Sequence, residues 1–238
     1  MMAVIDTPST TQRLPMSDNR RRFLGTLGAA AIGGGVFPRI AHAALPQTDH
    51  PAPISDRYDV AWADKITGRF RAVFDSPNMA EGAAIVRATA WCDQYKEIYG
   101  VDRTAMNPVL VLRADAIELV MDDTYWGRFP VGEEHKFKGR DTSWLTVNPI
   151  SAQSRASATD IQRRNTLETF MKEGGIVLAC SWAFGKVTQR YRTLDKLEAA
   201  DAAKQARAHI IPGIVMQPNG IFAVLRAQEA GCHFVAAS

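Results

Sequence analysis

Apolar and polar positions follow two different periods along most of the chain. Short, nearly continuous apolar runs predict strands at 69–74, 108–112, 176–180, 210–215 and 232–237. Apolar residues spaced three and four positions apart predict helices between them, at 79–99, 159–172, 182–192, 194–206 and 221–230. The chain is therefore expected to alternate strand and helix from residue 69 onward.

This alternation indicates the fold class. Short strands that are apolar on both faces are typical of a parallel sheet covered by helices on both sides. We therefore expect an α/β, flavodoxin-like three-layer fold with a mainly parallel sheet of about five strands. Ligands bind at the carboxyl ends of the strands in such folds, so chemistry is expected in the residues that follow each strand.

Two segments interrupt the alternation. Residues 113–129 fit a short helix or a strand equally well. Residues 126–157 lose the regular pattern and are predicted to be an excursion from the domain, since loops of this length in compact domains are usually functional or disordered. Trp126 and Trp144 lie in this excursion and indicate that it packs against another part of the protein.

The first 43 residues have the composition of an export signal. An arginine pair, Arg20 and Arg21, precedes a mildly apolar, Ala- and Gly-rich stretch, and Ala41 and Ala43 fit the A-x-A cleavage rule. This arrangement resembles the twin-arginine translocation signal and predicts export of a folded domain to the periplasm. An ordinary secretory leader and a membrane anchor are the alternatives. Because no apolar run reaches the roughly 18–20 residues of a membrane span, membrane contact is expected only through the leader.

Charge is distributed unevenly between the leader and the rest of the chain. The first 43 residues carry five Arg and two Asp, whereas the remaining 195 carry 23 basic and 23 acidic residues. A nucleic-acid-binding domain usually keeps a basic excess, so nucleic acid is not an expected partner. Residues 44–66, with three prolines, are predicted to be a linker, and residues 67–238 are predicted to be the folded domain.

The common motifs of cofactor and metal sites are absent from the sequence. The chain has no G-x-G-x-x-G, no G-x-x-x-x-G-K-[ST] and no G-x-S-x-G, and no His or Cys pair has a metal-ligand spacing. Glu133, Glu134 and His135 form a possible ligand cluster, but a solvated charged loop is the interpretation we favour. The sequence therefore predicts no cofactor and no metal.

The three cysteines differ in their predicted surroundings. Cys92 falls within the first long helix and Cys232 begins the last strand, so both are interpreted as small core residues. Cys180 ends the predicted central strand and directly precedes a helix, whose positive amino-terminal end favours a thiolate over a thiol. The alternative is that Cys180 is simply the last buried residue of an apolar strand. Among the three cysteines, Cys180 is the candidate catalytic residue.

The order of these segments resembles a known family. The run from Gly174 to Cys180 reads GGIVLAC, and the tail from 210 to 234 contains a helix ending AQEAG before an aromatic strand. Over residues 67–238, apart from the excursion, this is similar to the DsrE/DsrF-like family of sulfur-relay proteins. The resemblance implies a small flavodoxin-like sheet, assembly into homo-oligomers, and a persulfide on the cysteine that matches Cys180. It also implies a sulfur-carrier protein or a small sulfur compound as partner.

Two main hypotheses for function follow. In the first, Cys180 accepts sulfane sulfur and passes it on. In the second, the protein is a non-catalytic periplasmic ligand-binding or assembly module, and Cys180 is a core residue. Flavin binding is a third and weaker hypothesis, because the loop at 75–78 lacks the Ser, Thr and Gly residues that cradle a flavin phosphate.

Overall fold

The computed structural model describes residues 55–139, 141–152 and 163–238, together with residues 53 and 159. These residues belong to one compact unit, Pro46–Ser238. The predicted export signal at 1–43 lies outside the described residues. No helix in the described part of the chain combines the length and the apolar character that crossing a membrane requires.

The centre of the domain is a sheet of five parallel strands in the order β4-β3-β2-β1-β5. The strands are β1 (Phe70–Ser76), β2 (Met106–Leu112), β3 (Ile176–Cys180), β4 (Val215–Gln217) and β5 (His233–Ala236). All four neighbouring pairs are parallel. The predicted α/β class, the three-layer architecture and the parallel five-stranded sheet are confirmed. Flavodoxin itself has the strand order 2-1-3-4-5. This protein therefore resembles flavodoxin in its three layers and differs from it in strand order.

Seven α-helices connect the strands within the described residues. They are α1 (Ala83–Tyr99), α2 (Asp123–Arg128), α3 (Val131–Glu134), α4 (Leu167–Lys172), α5 (Ser181–Leu194), α6 (Ala199–Ala208) and α7 (Gly220–Glu229). Short 3-10 helices add Ala61–Lys65, Ala80–Gly82, Arg103–Ala105 and Ala114–Val120. Each of the first four strands is thus followed by helical chain that returns to the amino edge of the sheet, as parallel pairing requires.

The two faces of the sheet are covered unequally. On one face, α1, α5, α6 and the Ala114–Val120 segment bury a large core with one set of strand residues, such as Leu110. On the other face, the alternate strand residues, such as Val111, pack against α7 and against Trp62. The second layer is therefore mainly a single helix and one aromatic side chain.

The structure corrects two predicted boundaries. The strand expected at 210–215 is β4 at Val215–Gln217, because Pro212 and Gly213 form a turn in which Gly213 has φ +94°. The helix expected from residue 79 begins at Ala83, since Gly82 caps it in the left-handed region. The last helix and strand lie within one residue of their predicted bounds.

The predicted linker at 44–66 does not extend as far as residue 66. Residues Ala61–Lys65 form a 3-10 helix in which Trp62 is fully buried, and Ile66 is buried as well. The reason is the thin second layer, which leaves apolar sheet surface that this segment covers. The end of the predicted linker is therefore part of the fold.

The structure also defines the segments whose conformation the sequence left open. Residues 113–129 contain the 3-10 helix Ala114–Val120 followed by α2, and no strand. The helix predicted over 159–172 is α4, which begins at Leu167 because Thr166 caps it; residues 160–162 lie outside the described part. The excursion packs on the domain as predicted, with Trp126 fully buried and stacked on Phe137.

Candidate functional site

The carboxyl edge of the sheet carries a row of four polar side chains. Asp75 lies near the end of β1, Arg113 follows β2, and Cys180 and Gln217 end β3 and β4. The β2–β3 register, continued by one residue, places Arg113 beside Cys180, and Cys180 pairs with Gln217. Because side chains alternate along a strand, all four point to the face that α7 covers. We refer to these four residues as the edge row.

An ion pair orders one half of the edge row. Arg113 donates from Nε and Nη2 to the two carboxylate oxygens of Asp75, at 2.7 and 2.8 Å. The hydrogen bond to Asp75 raises the pKa of Arg113. Nη1 has no hydrogen-bond acceptor within the described residues. The guanidinium therefore stays charged and keeps one donor group available.

Cys180 caps the helix that follows it. Its Sγ accepts a hydrogen bond from the Ala183 backbone N–H, with 3.4 Å between sulfur and nitrogen. Ser181, which follows Cys180 directly, is the first residue of α5 and is not its cap. Only 6% of Cys180 is exposed. The sulfur thus lies at the positive end of a 14-residue helix, in a largely enclosed position.

The other two cysteines have different environments. Burial raises the pKa of Cys92 to about 11 and that of Cys232 to about 12. Both thiols are therefore protonated at neutral pH, and Cys232 packs in the core beneath α7. All three cysteines are free, so the structure has no disulfide. The interpretation of Cys92 and Cys232 as core residues agrees with these surroundings.

Gln217 leaves a buried acceptor without a partner on the other side of Cys180. Its Nε2 donates to the backbone oxygens of Asp59 and Met216, at 2.7 and 3.0 Å. Its Oε1 is fully buried and has no hydrogen-bond partner among the described residues. An unpaired buried acceptor costs roughly 1–3 kcal/mol. A protonated group beside Cys180 could satisfy it.

A second polar cluster surrounds Glu118, which is completely buried. One carboxylate oxygen accepts hydrogen bonds from the hydroxyl of Tyr125 and from Nε of Arg190, at 2.8 and 2.7 Å. The other lies 2.9 Å from both Nε2 of His135 and Nζ of Lys186. Sequence reasoning missed Glu118, because it is the only acidic residue in an otherwise apolar run.

The charge state of Glu118 follows from these contacts. Burial acts to raise its pKa, but the hydrogen bonds and charges of Arg190 and Lys186 outweigh burial and lower the pKa to about 2. Burial and the negative charge of Glu118 raise the pKa of Tyr125. The carboxylate is therefore ionised and fully bonded at neutral pH. It is a poor proton acceptor and serves to hold the excursion against α5.

The charged loop expected at 133–135 is instead the end of helix α3 and the residue after it. Glu133 and Glu134 are exposed, as expected, and Glu134 binds Arg190, with 2.7 Å between Oε1 and Nη1. His135 differs from the expectation, because its side chain is mostly buried and reaches the buried Glu118. No group of three or more His, Cys, Asp or Glu side chains within the described residues is arranged to hold a metal ion.

Three tryptophans, Trp126, Trp144 and Trp182, lie in different parts of the domain and do not together enclose Cys180. Trp126 donates its indole N–H to the backbone oxygen of Glu118, at 2.9 Å, in the core. Trp144 lies against Lys138, whose Nζ is 4.6 Å from the ring centroid. Trp182, two residues after Cys180 in the sequence, is 75% exposed. Of these three tryptophans, only Trp182 is close in sequence to a residue of the edge row.

The fold and the edge row together describe a three-layer α/β protein with a helix-capping cysteine at the carboxyl edge of its sheet. Comparisons of the chain with protein-family models, with curated proteins and with solved structures found no match. The likeness to the DsrE/DsrF-like family therefore stays a prediction from sequence.

Proposed function

We propose that Cys180 accepts sulfane sulfur from a small sulfur compound or a partner persulfide and transfers it to an acceptor thiol. The observation that carries the proposal is the position of Cys180, whose Sγ caps α5 and which lies beside Arg113 in the register of the sheet. A helix amino terminus and a neighbouring cation both stabilise an anionic sulfur. Neither Cys92 nor Cys232 caps a helix, and for both thiols burial outweighs the nearby cation, Arg103 or Arg71, and raises the pKa.

The chemistry needs no cofactor. The Cys180 thiolate attacks the outer sulfur of a donor, the donor's S–S bond breaks, and the leaving group departs with the electron pair. Cys180 then carries a persulfide. An acceptor thiolate attacks the outer sulfur in the second step, the persulfide bond breaks, and the Cys180 thiolate is released. No net oxidation or reduction of the protein occurs over the two steps.

The edge row supplies two contacts for such an intermediate. The Nη1 group of Arg113 is available to a terminal sulfur that carries negative charge, and the Ala183 N–H already points to Sγ. The unpaired Oε1 of Gln217 is available to the S–H of a protonated persulfide. These contacts support a persulfide that is held inside the protein until an acceptor arrives.

The working location in this proposal is the periplasm, reached by the twin-arginine pathway as a folded domain. The support is the sequence of the leader, above all Arg20, Arg21 and the A-x-A at Ala41–Ala43. A route that carries folded proteins suits a cysteine that is enclosed by the fold.

A second candidate function is a non-catalytic binding or assembly module. It is favoured by the 6% exposure of Cys180 and by the use of its sulfur as a helix cap, since both are compatible with a structural cysteine. In that case Cys180 would stay unreactive to alkylating reagents until the protein unfolds. The two functions therefore predict opposite results for native-state reactivity.

The intact mass of the purified protein before and after incubation with polysulfide tests the proposal. We expect a gain of one or more sulfur atoms that a reductant reverses. Cys180→Ser should abolish the gain and retain a helix cap, because Ser is a good N-cap residue. Cys92→Ala and Cys232→Ala are the matched controls and should load as the wild type does. A Cys180→Ser protein that still loads sulfur would contradict the proposal.

A further inference from the structure

A pocket of about 400 Å³ lies between α5 and α6, away from the α7 face of the sheet. The amino-terminal residues Arg57 and Tyr58 close one side of it, and Met216 of β4 and Phe184 of α5 contribute apolar wall. Pockets that hold small molecules have volumes of roughly 300–1,000 Å³. The pocket is therefore large enough for a small ligand and too small for a folded partner.

The pocket has a strongly positive lining. Arg57, Arg192 and Arg207 contribute to it, and no Asp or Glu does. None of the three guanidiniums has a carboxylate within ion-pair distance among residues 55–139, 141–152 and 163–238. Arg192 contacts only the Gln189 side chain, at 3.4 Å. Three arginines without counter-charges that converge on one cavity favour an anionic ligand.

One stripe of α5 forms the floor of the pocket. Ser181, Gly185, Thr188 and Arg192 are spaced four, three and four residues apart, so they share one helix face. Two hydroxyl groups and a guanidinium on this face can all donate hydrogen bonds. The stripe begins at the amino terminus of α5, where the helix dipole also favours negative charge.

Gly185 keeps this stripe open. Glycine in a helix interior costs about 1 kcal/mol relative to alanine, and a Cβ at Gly185 would meet no atom within 4 Å. Packing inside the protein therefore does not require the glycine. Its effect is to leave space in the pocket wall between the two hydroxyl-bearing residues.

From these features we propose that the α5–α6 pocket binds a small oxyanion with two or more negative charges, of the oligophosphate or polycarboxylate class. The three guanidiniums match that charge, and their planar donor groups fit phosphate or carboxylate oxygens in pairs. Tyr58, over which the Arg57 guanidinium lies at 5.3 Å from the ring centroid, forms a flat side to the site. The proposal stands independently of Cys180.

Calorimetric titration of the purified protein with pyrophosphate and with citrate, in a buffer free of other multivalent anions, tests this site. We expect saturable binding of at least one probe, weakened by added salt. Arg192→Gln and Arg207→Gln should each raise the dissociation constant about tenfold or more, since a hydrogen bond to a charged group contributes roughly 1.5–3 kcal/mol. Which probe binds decides between the phosphate and carboxylate classes.

Two further variants distinguish specific binding in the pocket from non-specific attraction of anions to positive charge. Lys204→Gln removes one exposed charge from the same helix α6 outside the pocket and should change the dissociation constant less than twofold. Gly185→Leu keeps every charge and fills the open space, so it should abolish binding. Absence of saturable binding to both probes would overturn the proposal. Equal losses in Lys204→Gln and Arg207→Gln, or full binding by Gly185→Leu, would overturn it as well.

Discussion

Glu118 shows how a single charge can organise distant parts of a chain. Its carboxylate is completely enclosed, yet four side chains donate to it or lie within hydrogen-bond distance. Arg190 is 72 residues away in the sequence and His135 is 17 residues away. A buried charge that loses its partners is strongly destabilising. The cluster therefore couples the excursion, the segment after β2 and α5.

Glu118→Gln should destabilise the fold by about 3–5 kcal/mol, because it leaves two cations facing a neutral amide in a buried site. The wild type should also lose stability in acid. The folded-state pKa of about 2 lies below the ordinary glutamate pKa of 4.5, so the contribution of Glu118 is complete above pH 4.5 and declines as the pH falls toward 2. Urea unfolding at neutral and acidic pH measures both effects.

Asp93→Asn is the matched control for this prediction. Asp93 pairs with Arg164 on the surface, with both side chains about half exposed, and exposed pairs contribute roughly 0–1 kcal/mol. The control should unfold almost as the wild type does. If Glu118→Gln unfolded at the wild-type urea concentration, the cluster would have no structural role.

Residue-scale features were the least predictable from the sequence. The helix after β3 was predicted, but the capping atom was not, because sulfur is an uncommon cap and Ser181 follows Cys180 directly. Likewise, Glu118 and Gln217 acquire their roles from residues that the fold brings together from far along the chain. No local pattern contains that information.

At the scale of elements, the first residue of α7 fits closely against the edge row. A Cβ at Gly220 would overlap the side chain of Arg113, including its Cβ, which cannot rotate away. Gly220→Ala should therefore displace α7 or Arg113 and disturb the Asp75–Arg113 pair. We expect lower stability in thermal unfolding and faster alkylation of Cys180 in the native state.

Gly185→Ala provides a control with the same chemical change. A Cβ at Gly185 would meet nothing within 4 Å, so the substitution should stabilise α5 by up to about 1 kcal/mol through helix propensity alone. Opposite signs for the two glycines are the expected result. A stabilising effect of Gly220→Ala would show that Arg113 is not held against α7.

The elements themselves were largely predictable, and their boundaries were less so. Periodicity located β1, β2, β3 and β5 to within about two residues, as comparison with the observed bounds shows. It misplaced β4, because the apolar residues before Pro212 continue the pattern of a strand while the backbone makes a turn. The 3-10 segment Ala61–Lys65 escaped prediction because its burial depends on the thin α7 layer.

At the scale of the whole molecule, the leader sequence makes a prediction about export. A fusion of residues 1–43 to a folded reporter should be exported by cells with the twin-arginine machinery and retained by cells that lack it. Replacing both Arg20 and Arg21 by Lys should block export, whereas Arg22→Lys should have little effect. Export that continued without that machinery would favour an ordinary secretory leader or a membrane anchor.

The pairing of β1 with β5 has a consequence for how the chain folds. Ala237 donates to the backbone oxygen of Asp75, and the hydroxyls of Ser76 and Ser238, 162 residues apart, lie at 3.2 Å. Contacts between residues so far apart in the sequence form slowly, because a long loop must close first. The β1–β5 edge of the sheet therefore assembles only after the chain between these two strands has been synthesised. A ribosome-bound chain that ends before β5 would expose the unpaired margin of β1. Pairing along this edge of β1 therefore waits until the segment at 233–238 has emerged from the ribosome.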